Sequence, residues 1–218
     1  MYKKIQSQIP LLSFCKGDAR YSFLETGDIY EFQKGYMMIN QFMGNMTDGA
    51  ISNIYLRIHK ENGEIKVYPL RGKASSAVLR KNEERLSFES NVEGIDCKVE
   101  FVPSSENLWF WKVTLNGTSA ECDLVYVQDP GVADKGAIMN NTLYVSQYLD
   151  HKIMENENGY VIGSRQNMDQ GGRNPYLQQG CLGKRVVGYA TDAMQVYGRH
   201  SKLTHIPEAL YKENLPND

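Results

Sequence analysis

Through most of the chain, apolar and polar residues alternate with a period of two. That is the pattern of strands with one buried face, not of amphipathic helices. Residues 96–102 read DCKVEFV, and residues 108–115 read LWFWKVTL, rich in aromatic and β-forming side chains. Asn116-Gly117 follows, a turn signal, because positive φ is least costly for Asn and Gly. Residues 122–128 then return as CDLVYVQ, so the pattern predicts three consecutive antiparallel strands with short links. Upstream, residues 36–42, 51–59, 65–69, 77–80 and 86–89 also read as strands, separated by the turn clusters GNMTDGA, KENGE, RGK, RKNEE and SNVEG. Downstream, residues 159–163 (GYVIG) and 184–197 (KRVVGYATDAMQVY) add more. Residues 140–151 fit a helix by length and a strand by Thr142, Tyr144 and Val145. One short helix is expected within residues 202–214, with Pro207 in its first turn. Strands at this spacing predict a mainly all-β chain, an antiparallel two-sheet sandwich with a short C-terminal helix.

Composition narrows the partners more than the fold. At 218 residues the chain is long enough for one large sandwich with a real core. Lys and Arg number 24 against 26 Asp and Glu, so there is no basic excess to neutralise nucleic-acid phosphates. The longest apolar runs are far short of a membrane span. The N-terminal MYKKIQSQIPLLSFCKG is too short and too polar in its apolar patch for a secretory signal. A cytoplasmic protein with no nucleic-acid or membrane partner is therefore expected. The four cysteines form no C-x-x-C pair; Cys97 and Cys122 fall in predicted strands, where cysteine packs as a small buried hydrophobe. Four histidines without ligand spacing argue against a metal site, and nothing points to a cofactor. The chain ends ENLPND with no terminating element, which reads as a cut within a longer polypeptide.

Catalytic motifs are sparse. No G-x-S-x-G occurs. Asp150-His151 is an adjacent pair whose side chains point to opposite faces on a strand, so a surface or edge histidine is the plain reading. Asp129, Asp134, Asp150 and Asp169 could supply glycosidic acid–base chemistry, but spacing alone sets no two of them across a cleft. Asp129-Pro130-Gly131 reads as a turn. Gly171-Gly172 lacks the strand–loop–helix setting of a phosphate loop and reads as a loop bend. What remains is a dense polar set: Arg165, Gln166, Asn167, Gln170, Arg173, Asn174, Tyr176, Gln178 and Gln179. Planar amide and guanidinium groups with a nearby aromatic suit vicinal hydroxyls of sugars; the alternative is a solvated loop packed on a neighbouring domain. Trp109 and Trp111 share one strand face, fitting sandwich core better than a sugar-stacking platform.

The strand DLVYVQD, the turn PGVADKGAIMNN and the segment LYVSQYLDHKI resemble the N-terminal domain of glycoside hydrolase family 94, formerly glycosyltransferase family 36. The segment GYMMINQFMGNMTDGAISNIYLRI fits the same domain, and ARYSFLETGDIYEF is nearest to the 1,2-β-oligoglucan phosphorylase type. The resemblance implies a galactose-mutarotase-like supersandwich over residues 1–200, with residues 201–218 opening a linker toward an (α/α)6 barrel. In that family the barrel carries the acid and the phosphate site for inverting phosphorolysis, without metal or organic cofactor. No catalytic position carries over to this chain. The resemblance implies a supporting domain whose loop reaches a β-linked gluco-oligosaccharide, in some members across a homodimer. Arg165, Gln166, Asn167, Gln170, Arg173 and Tyr176 are the expected contacts. Two other readings stand beside it: a mutarotase-like sugar epimerase using His151 with Asp129 or Asp134, and a free-standing carbohydrate-binding module using Trp109, Trp111 or nearby tyrosines.

Overall fold

A computed structural model describes residues 11–117, 121–199 and 205–216. Four strands open the chain as successive hairpins: β1 (Leu11–Lys16), β2 (Ala19–Leu24), β3 (Ile29–Lys34) and β4 (Met37–Asn40). Gly17 and Gly35 take positive φ in two of their turns, where a Cβ would be strained. Next come β5 (Asn53–His59), β6 (Ile65–Pro69), β7 (Val78–Lys81), β8 (Leu86–Val92), β9 (Ile95–Ser105), β10 (Leu108–Asn116), β11 (Cys122–Val127) and β12 (Pro130–Asp134). Two short helices follow, α1 (Lys135–Asn140) and α2 (Thr142–Ser146). The last strands are β13 (Leu149–Asn156), β14 (Gly159–Gln166) and β15 (Tyr176–Gln179), before α3 (Ala193–Tyr197) and a 3-10 turn at Glu208–Tyr211.

The chain is all-β in class and its paired strands are antiparallel. Hydrogen bonding groups the strands in four sheets, ordered β1-β2-β3-β4-β12, β10-β9-β8-β7, β11-β5-β6 and β13-β14-β15. The main core lies between the first three. Its centre is a ring cluster of Tyr21, Phe23, Phe32 and Phe101, all at 0% exposure. Trp109 closes on Tyr21 and Phe32, with centroids 5.7 and 5.6 Å away, and Trp111 on Phe101 at 5.0 Å. The Trp109–Phe32 pair is edge-to-face and the other two are tilted, geometries that suit the ring quadrupoles. Both tryptophans therefore belong to the core.

Several expectations are corrected. β9 and β10 do pair, but β11 pairs with β5, so the chain changes sheets after Asn116. Local alternation shows a strand but not its partner. Asp129-Pro130-Gly131 is not a free turn: Pro130 opens β12 against Asn40, and Val132 takes φ 41° at a register shift. Residues 184–197 form no strand; one bridge from Val186 to Gly159 and the helix α3 replace it. Gly188 and Ala190 supply little β-forming surface there, and Asp192 caps α3 through Met194 and Gln195 N–H. Residues 140–151 divide among the last residue of α1, α2 and the start of β13. Cys122 is exposed, although Cys97 is buried as expected. The C-terminal helix is a single 3-10 turn, with Pro207 just before it, and residues 202–204 of that expectation lie outside the described residues.

This last segment covers the outer face of β11-β5-β6. Leu210, Ile206 and Leu215 pack on Tyr55, Val67, Val125 and Val127. Arg57 fastens it, donating through Nη1 to the Lys212 carbonyl at 2.7 Å. The same guanidinium holds Asp123 in a fork at 2.7 and 2.6 Å, and His59 adds a contact at 2.9 Å. Burial opposes the Asp123 charge, yet these partners keep its pKa below the ordinary value. β5 is thus buried on both faces.

Candidate functional site

The polar stretch of the sequence falls on the sheet β13-β14-β15 and the loop joining its last two strands. In register, Asp150 faces Arg165 and Arg165 faces Tyr176, so the three lie in a row across the sheet. The next row on that face is Lys152, Gly163 and Gln178. Cross-strand partners share a face with Cβ atoms about 5 Å apart. All five side chains are exposed, and Gly163 leaves a low floor between Lys152 and Gln178. This gives a carboxylate, an amine, a guanidinium, an amide and an aromatic ring on one surface.

The opposite face of the sheet is different. Gln166 is fully buried, and its amide donates to the carbonyls of Gly131 and Val145 at 3.3 and 3.2 Å. Its Oε1 accepts from Met168 N–H at 2.9 Å. Gln166 therefore ties β14 to β12 and α2. Gln170 is also buried; its Oε1 accepts from Asp134 N–H at 2.6 Å, and its Nε2 donates to the carbonyls of Met168 and Asp169. Tyr36 hydroxyl donates to the Gln170 carbonyl at 2.8 Å. Their amide groups are thus engaged inside the fold. Alternation explains Gln166: it lies one residue from exposed Arg165 and so points the other way.

The loop itself is braced. Gln170 N–H donates to the Arg173 carbonyl, closing a turn whose two central residues, Gly171 and Gly172, have φ of 70° and 79°. Two successive positive φ values are the hairpin geometry that glycine permits. Asp169 accepts from Gly172 N–H at 2.7 Å. Asn174 donates to the Gln166 and Asn167 carbonyls and accepts from Arg165 at 3.3 Å. Arg173, Asn167 and Asn174 are exposed on this loop. Beside it, Asn167 N–H donates to the Tyr148 carbonyl, and Tyr148 meets Tyr144 edge-to-face at 5.1 Å. Of the expected contacts, Arg165, Asn167, Arg173 and Tyr176 are brought to one exposed region with Asn174.

Asp150, Lys152, Tyr144 and Tyr148 were absent from the expected set. The signal for Asp150 and Lys152 is the alternation of Leu149, Asp150, His151 and Lys152, legible once residues 149–156 are read as a strand. The tyrosine pair follows from helical spacing of four residues, once α2 is recognised.

The acid–base candidates belong to separate networks. His151 bonds through Nδ1 to Ser164 at 2.9 Å, and burial lowers its pKa. Asp134 caps α1 by accepting from Ala137 N–H at 3.0 Å. Asp129 is buried, and its Oδ2 accepts from Phe42 N–H at 2.9 Å. Burial pushes the Asp129 carboxyl up to about 7. Among the described residues, no three His, Cys, Asp or Glu side chains come together to hold a metal ion. No helix among them is long and apolar enough to cross a membrane.

These observations define an antiparallel all-β domain that displays one polar, aromatic-edged sheet face. The chain belongs to the SOGP N-terminal domain family, which matches residues 22–218. It is 34% identical over 202 residues to a 1,2-beta-oligoglucan phosphorylase of Listeria innocua serovar 6a (strain ATCC BAA-680 / CLIP 11262). That match covers 93% of this chain and 18% of the relative. The chain thus spans under a fifth of that relative's length. The phosphorylase resemblance read from the sequence is borne out.

Proposed function

We propose that the chain is the non-catalytic N-terminal domain of an inverting β-glucan phosphorylase of glycoside hydrolase family 94, its sandwich being of the galactose-mutarotase-like kind. Membership of a family that matches nearly the whole chain carries this reading. In it, residues 201–218 lead toward an (α/α)6 barrel that supplies the general acid and the phosphate site. Exposed apolar side chains fit such a neighbour: Met139 and Leu143 on α1 and α2, and Leu182, Val187 and Met194 beyond β15. The domain would work in the cytoplasm, alone or across a homodimer.

Within this reading, the outer face of β13-β14-β15 contacts a β-linked gluco-oligosaccharide. Arg165, Lys152 and Gln178 offer hydrogen bonds to vicinal hydroxyls, and Tyr176 offers a ring face beside them. Asn167, Arg173 and Asn174 extend the polar surface along the loop. The test is calorimetric titration of the protein with sophorose. Saturable binding that Arg165→Ala weakens about tenfold supports the assignment, a loss equivalent to about 1.4 kcal/mol. Equal affinity in both proteins removes Arg165 from the site.

A further inference from the structure

Gly163 stands inside β14, the central strand of β13-β14-β15, where glycine is a poor choice. A strand interior gains from a side chain that restricts the unfolded chain and packs on its neighbours, and glycine supplies neither. The fold does not ask for it. Gly163 is not among the glycines with positive φ, so its backbone is open to any L residue. Space is not short either. Among the described residues, a Cβ there would meet only the Met154 methyl at 3.4 Å and the Lys152 carbonyl oxygen at 3.7 Å, both ordinary contacts. Gly159 in the same strand is the opposite case, with φ 89° and the Val186 carbonyl oxygen 2.0 Å from its would-be Cβ. A strand glycine that neither conformation nor packing requires marks a place where something comes close from outside.

The surroundings say what fits. Lys152 and Gln178 flank Gly163 in register, so an amine and an amide stand on either side of a floor with no side chain. Residues two apart along a strand share a face. On one side the next row is therefore Asp150, Arg165 and Tyr176; on the other it is Met154 opposite Val161. The floor is bounded by hydrogen-bonding groups on three sides and by apolar side chains on the fourth. A β-linked glucosyl ring has the matching plan. Its substituents are equatorial, so its faces are C–H surfaces and its hydroxyls form a rim. Another protein backbone would be served poorly here, because the hydrogen-bonding groups of a sheet lie in its plane and not on its face.

We propose that Gly163 determines the specificity of this face: its missing side chain lets one pyranose ring of a β-linked gluco-oligosaccharide lie flat between Lys152 and Gln178. This rests on the reading of the outer face as a sugar surface and adds where the ring sits. A flat floor selects rings without axial hydroxyls on the face turned toward it, since such a group would lift the ring away from Lys152 and Gln178.

The test is calorimetric titration with sophorose of the wild-type protein and of Gly163→Val and Gly163→Ala, with melting curves for each. Both variants should melt at or above the wild-type temperature, because a side chain there suits a strand and meets no clash. Sophorose affinity should fall about tenfold or more in Gly163→Val and about threefold in Gly163→Ala. Full affinity in both variants, beside a loss in Arg165→Ala, overturns the placement of the ring and leaves the sugar face standing. Lower melting temperatures in both variants assign Gly163 to the fold and overturn the proposal. A wild-type protein that binds no sophorose removes the sugar reading itself, and this inference with it.

Discussion

Asp129 illustrates how a single buried carboxyl sets a pH response. Burial raises its pKa to about 7, although Phe42 N–H and the nearby Arg71 pull the other way. The folded state therefore holds a proton that the unfolded chain releases near ~3.9. The associated stability is fully present below that value and is lost as pH climbs through the folded pKa, on the order of 4 kcal/mol in all. Asp129→Asn keeps an acceptor for Phe42 N–H and removes the titration. Urea unfolding at pH 5 and pH 8.5 should show a wild-type stability loss that the variant lacks. A parallel decline in both would assign the pH response to other groups. Little of this is legible in the sequence, where DPG looks like any surface turn. Gln166 and Gln170 mislead in the same way: amides in a polar run look solvent-facing until strand register turns them inward. Trp109 and Trp111 are legible, because their same-face spacing within an apolar strand already selects the core.

Elements were readable where alternation was long and unreadable where pairing decided. β5, β6, β9, β10 and β11 announce themselves by β-forming runs. β1, β2 and β3 are short and joined by tight turns, and they become strands by pairing with one another. Partner choice is non-local, which is why β11 crossing to β5 could not be read from its neighbours. Two close approaches test the assembled elements. Gly159 has φ 89°, and a Cβ there would meet the Val186 carbonyl oxygen at 2.0 Å. Gly159→Ala should destabilise by about 2 kcal/mol or more, through both backbone strain and the clash. Chemical denaturation measures the loss, and faster amide exchange at Val186 and Tyr160 would locate it. Arg57→Ala removes the tie to the Lys212 carbonyl and the fork on Asp123. Amide exchange in residues 205–216 should accelerate well before that of β9, whereas uniform acceleration would mean the tie is not local.

At the scale of the molecule, an aromatic core holds three sheets and leaves the fourth with a polar face outward. Sequence pattern supplied the all-β class, and family resemblance supplied the phosphorylase context. The candidate site was half legible: its residue types were visible in the polar run, while its surface needed the registers of β13, β14 and β15. The central claim is that this outer face recognises a β-linked gluco-oligosaccharide. The direct measurement is calorimetric titration with sophorose of the protein and of its Arg165→Ala and Tyr176→Ala variants, with melting curves confirming equal folding. The account predicts saturable binding by the protein and about a tenfold loss in each variant. Binding absent from all three, or unchanged across them, would contradict it.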